Sequence, residues 1–107
     1  MTEKKIRELL ESTGITTGRG HFTTPKKLPY MVYMVSDSPP VASDYETVGR
    51  MPHYRVEFYA TRKDEKAERK IEQALEGAGV VLEKYEVEIP EQRMIETIYE
   101  FDTLEVK

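Results

Sequence analysis

The stretch Gly18-Arg19-Gly20-His21, with Lys26 and Lys27 just beyond it, holds the residue types of a phosphate site. Glycines let backbone amides approach the oxygens, and lysines neutralise them. A phosphate loop, however, leads its glycines into a helix N-terminus, preferably through a Gly-Lys-Ser/Thr ending. Here Pro25, Pro29 and then the run YMVYMV follow. The stretch therefore reads as a glycine hinge with a rigid entry into a strand.

His21 and His53 are the only histidines, in a chain whose many carboxylates suit the orientation of a general base. Catalysis also needs a nucleophile or a metal, and neither has a recognisable pattern here. Neither histidine has a His or Cys partner at the short spacing of a local metal pair. Both read as strand flanks, so the expectation is no enzyme: no catalytic residue, no metal ligand and no cofactor. Glu83, Glu86, Glu88, Glu96 and Glu100 have the residue type for paired-carboxylate glycoside chemistry. With Lys84 and apolar residues between them, they read as the solvated side of a β-hairpin. The tyrosines Tyr30, Tyr33, Tyr45, Tyr54, Tyr59, Tyr85 and Tyr99 are numerous for a chain without tryptophan. Aromatics on a sheet can stack nucleic-acid bases when basic residues lie between them. The charges between these are largely acidic, which favours core and interface duty.

The elements that hold these residues are bounded by length. At 107 residues the chain fits one domain, 1–107, large enough to bury roughly 60 to 70% of its unfolded surface. A net charge of −4, with bases dispersed among acids, argues against general affinity for nucleic-acid phosphates. With no cysteine, disulfides, thiolate chemistry and cysteine zinc sites are excluded. No apolar run approaches the roughly 20 residues of a membrane span, and MTEKKIRELLES lacks the apolar centre of a secretory signal. The expectation is a cytoplasmic protein with no membrane partner.

Thr2 suits an N-cap, and Ile6, Leu9 and Leu10 follow at helical spacing, which predicts a helix over Glu3 to Thr13. A short strand is expected near Arg19 to Phe22, and a strand buried on both faces at Tyr30 to Val35. Ser36 to Pro52 shows neither period and reads as a long mobile loop. The segment Tyr54 to Ala60 alternates cleanly, and Asp64 caps a helix to Ala78 whose apolar stripe is Ala67, Ile71, Ala74, Leu75 and Ala78. Strands Val80 to Ile89 and Met94 to Phe101 form a hairpin, the first with Val81, Glu83, Tyr85, Val87 and Ile89 on one face and Lys84, Glu86 and Glu88 solvated on the other. The expected fold is α+β: a mostly antiparallel sheet of four to five strands with two helices on one face.

Taken together, "GHFTTPKKLPYMVYM", "SDSPPVASDYETV", "YRVEFYATRKDEKAERKIEQAL" and "MIETIYEF" resemble, in order and over almost the whole chain, the tail completion proteins of Gram-positive siphophages and prophages. These are also called tail terminator or head-tail joining proteins. The connection here carries Pro39 and Pro40 where that family has a more acidic, Asn-rich stretch. The resemblance implies a virion structural protein: a hexameric ring that closes the head-proximal end of the tail tube and joins it to the head connector. Its partners would be itself, the tail-tube protein and head-connector proteins, first in the bacterial host cytoplasm and then in the virion tail. Polar residues of the connection, Asp37, Asp44, Tyr45 and Arg50, are the candidate interface. The reading from another class is a small nucleic-acid-binding or regulatory module using the sheet tyrosines.

Overall fold

The computed structural model describes residues 1–24 and 26–107. Pro25, part of the expected rigid strand entry, lies outside the described residues. Helix α1 spans Glu3–Glu11 and helix α2 Glu65–Glu76. Their starts are fixed by the caps expected from sequence, Thr2 accepting from the Lys5 amide at 3.2 Å and Asp64 from the Ala67 amide at 3.1 Å. At the end of α2 the Val80 amide reaches back to the Leu75 carbonyl and the Gly79 amide to the Glu76 carbonyl. That pair of bonds closes the helix and turns the chain toward the next strand.

The strands are β1 (Thr16–Arg19), β2 (Tyr30–Asp37), β3 (Pro40–Ser43), β4 (Glu46–Arg50), β5 (His53–Ala60), β6 (Glu83–Ile89), β7 (Met94–Asp102) and β8 (Glu105–Val106). Five form the main sheet in the order β1-β2-β5-β7-β6, with β1–β2 parallel and the other pairs antiparallel. Both helices cover one face of it, giving the α+β fold. Ile6, Leu10, Ile71 and Leu75 of the helices bury against Met31, Tyr33, Tyr54, Val56, Phe58, Tyr99 and Phe101 of the sheet. In β5 every second residue is buried, as its alternation predicts. Opposite residues Tyr54 and Phe101 stack with ring centroids 5.2 Å apart.

Three expectations are corrected. The first strand lies at Thr16–Arg19, not Arg19 to Phe22. The β-branched Thr16 and Thr17 take the parallel ladder on β2, and the chain turns away after Gly20, whose amide donates to the Tyr33 carbonyl. Second, the supposed loop from Ser36 to Pro52 is a β-hairpin, β3–β4, extended by β8 into a second, three-stranded sheet. Its strands are exposed on both faces except at Gly49 and, in part, Val41, so no apolar alternation marks them. Pro40 begins β3 on a sheet edge, where a missing amide costs no ladder bond. A side chain at Gly49 would meet the Glu105 carbonyl oxygen at 2.7 Å, so β8 can approach only because that position is glycine. Third, β6 is not half exposed but exposed on both faces up to Glu88. Tyr85 and Val87, 46% and 42% exposed, lie on the face away from the helices. Lys84 and Glu86, also exposed, lie on the helix side, where Lys84 pairs with Glu72 of α2 and Glu86 with Lys63 just before it.

The second sheet stands out from the body as an arm. The molecule measures 52 × 26 × 22 Å with a radius of gyration of 15.0 Å, against about 13 Å for a compact domain of this length.

Candidate functional site

The arm ends in a two-residue turn, Asp44-Tyr45, with both residues at positive φ, 50° and 66°. This is the pattern of a type I′ turn, whose twist matches the strands it joins. Aspartate tolerates that conformation; tyrosine does so poorly, at a cost of about 1–2 kcal/mol. Tyr45 is also fully exposed, so its ring recovers none of that cost within the chain. Ser43 and Glu46 face each other across the turn. The tip therefore presents an aromatic ring between Asp44 and Glu46.

The other two candidates sit at the base of the arm. Asp37 ends β2 beyond a register shift, where its carboxylate accepts from the Ser36 hydroxyl at 3.1 Å. Arg50 uses its guanidinium to donate to the Ser38 carbonyl at 2.9 Å, bracing the two ends of the arm against each other. Asp44 and Tyr45 thus come together at the tip, while Asp37 and Arg50 belong to the hinge below it.

Beside that hinge lies His53. Its Nδ1 is 2.7 Å from Asp102 and its Nε2 3.0 Å from Glu100. The Glu100 carboxylate first, and Asp102 next, raise the imidazole above its ordinary value. It ties β5 to β7 where the main sheet hands over to the arm. His21 is exposed just beyond β1, beside the middle of β2, in a shallow cavity. Among the described residues no group of three His, Cys, Asp or Glu has the arrangement to hold a metal ion.

Among the described residues no helix covers the other face of the main sheet, where Val32 and Ile98 are nevertheless buried and the segment after β1 brings Phe22 onto Tyr30. The rings of Tyr30 and Tyr59, opposite each other on β2 and β5, lie 5.2 Å apart, and Phe22 packs edge-on to Tyr30 at 5.6 Å. Gly18 makes room for this: a Cβ there would meet the Phe22 ring at 2.6 Å. The Tyr59 hydroxyl donates to Glu96 at 3.0 Å and to Glu57 at 3.2 Å, and Arg55 pairs with Glu57 at 2.9 Å. Glu96 is 9% exposed; its burial, with Glu57 nearby, pushes its carboxyl above the usual range although the Tyr59 hydroxyl opposes this. Of the five glutamates expected on the solvated side of the hairpin, Glu83, Glu96 and Glu100 share this face, and Glu86 and Glu88 point the other way.

Across the helix-covered face, Glu68 is 2% exposed and its carboxylate lies 2.9 Å from both Lys63 and Lys84. Burial would raise it, but the two ammonium groups prevail and hold it below its ordinary range. Lys84 also meets Glu72 at 2.8 Å, whose carboxylate accepts from the Tyr99 hydroxyl at 2.7 Å. This network fastens α2 to β6. Sequence reasoning missed it because Lys63 and Lys84 look like ordinary surface charges until the register of β6 is known.

No family model matches the chain, and no curated protein matches it significantly.

Proposed function

We propose that the chain is a structural subunit of a phage or prophage tail, acting by assembly and not by catalysis. It would form the hexameric ring at the head-proximal end of the tail tube and join tail to head, in the host cytoplasm and then in the virion. The observation that carries this is the arm: a hairpin projecting from the body with a fully exposed tyrosine in a strained turn at its tip. Backbone outliers persist where function holds them, and an arm with almost no core of its own gains its burial from neighbours. Ring closure needs a heterologous contact, in which one patch binds a different patch on the next copy. The arm, the unpaired outer edges of β1, β3 and β6, and the sheet face away from the helices provide such distinct patches.

The rival reading, single-stranded nucleic acid stacked on the sheet tyrosines, has one observation in its favour, the adjacent Tyr30 and Tyr59 rings. The carboxylates of Glu57 and Glu96 at the Tyr59 hydroxyl weigh against it, because the phosphates of a stacked strand would meet negative charge.

Exchange of Asp44 for alanine together with Tyr45→Ser, introduced into the phage that encodes the chain, tests the proposal. Electron microscopy of the lysate is expected to show full heads and finished tails that remain separate. Normal yields of joined virions would count against it.

A further inference from the structure

We infer that the arm tip of one copy docks into the aromatic cavity of a second copy, with Tyr45 as the inserted side chain and Phe22, Tyr30 and Tyr59 as the walls. The cavity has a volume of about 280 Å³, at or below the roughly 300–1,000 Å³ of small-molecule sites. It suits one aromatic side chain better than a cofactor. Its walls are rings already paired with one another, Tyr30 with Tyr59 and with Phe22, and each is only half-buried, so aromatic surface remains for a further ring. Glu57, which also lines it, carries a carboxylate able to accept from an incoming phenol.

Charge selects a second copy as the occupant. From Pro40 to Gly49 the arm carries Asp44 and Glu46 and no cation, whereas the cavity is lined by His21 and Lys26, and the Glu57 carboxylate in its wall is already paired with Arg55 at 2.9 Å. Lys26 already lies over the Phe22 ring, 5.5 Å from its centroid, at the cavity rim where Asp44 or Glu46 would arrive. A copy cannot serve itself. The cavity spans Tyr30 to Val32 of β2, and the arm leaves from the end of that strand at Asp37, about 17–23 Å away, with its tip at Tyr45 beyond. The contact is therefore head to tail, the class that makes rings. It rests on the assembly reading for its purpose, but not for its existence.

The cysteine-free chain allows a direct test by disulfide trapping. Ser43→Cys, beside the tip, is mixed at high concentration with Thr24→Cys, at the cavity, and oxidised. The mixed dimer is expected to form about tenfold faster or more than one between Ser43→Cys and Gln73→Cys on the outer face of α2, and adding Tyr45→Ser should remove the difference. Equal rates for the two pairs, or a rate indifferent to Tyr45→Ser, overturn the docking. Loss of trapping beside a failure of head joining in the tip variant would sink this contact and leave the assembly reading standing. Trapping beside normal joining would do the reverse.

Discussion

Tyr45 concentrates the account in one residue. A type I′ turn is best served by glycine at its second central position, and the chain places there an aromatic that touches nothing within its own fold. If the residue served only to make the turn, evolution had a better choice. Tyr45→Gly is therefore expected to stabilise the isolated chain by about 1 kcal/mol, read as a higher midpoint of thermal unfolding, while removing the side chain that docks. A midpoint that falls instead would mean that the ring supports the arm from within. The turn was hard to see in the sequence for the same reason. "SDYE" has neither the Asn-Gly nor the Asp-Gly signature of a tight hairpin, so Asp44 and Tyr45 could be named as exposed candidates but not placed at a tip.

At the scale of elements, α1, α2, β5 and β7 were legible because each carries a caps-and-period pattern that answers to one core. The arm was not, because β3 and β4 are wet on both sides and take their third strand from the far end of the chain. Ladder bonds between residues so distant in sequence leave no local trace. The parallel pairing of β1 was hidden likewise, since Thr16 and Thr17 specify a strand but not its neighbour. Where arm and body join, His53 links β5 to the end of β7 through Asp102 and Glu100. Its native pKa is raised from 6.5, so its contribution is complete below about pH 6.5 and disappears as the pH rises through the higher native value. Thermal unfolding of the wild type and of His53→Gln should therefore differ most near pH 6 and converge in mildly alkaline solution. A gap that widens with pH would contradict the linkage.

Over the whole molecule, one face of the sheet is closed by helices and by the Glu68 network, while the other face and the outer sheet edges carry no helix or further strand among the described residues. The fold class followed from the order of elements, but the division of surfaces did not. It depends on which way β6 turns its lysine and its tyrosine, and on an arm that lengthens the molecule to 52 Å. A chain built this way is expected to act where copies and partners meet. On the proposed reading, the most direct measurement is electron microscopy of tail tubes, assembled from a tail-tube protein of the same genome, after incubation with a gold-labelled Gln73→Cys variant. The account predicts label at one end of each tube, in an amount independent of tube length. Label along the walls, or none at all, would contradict it.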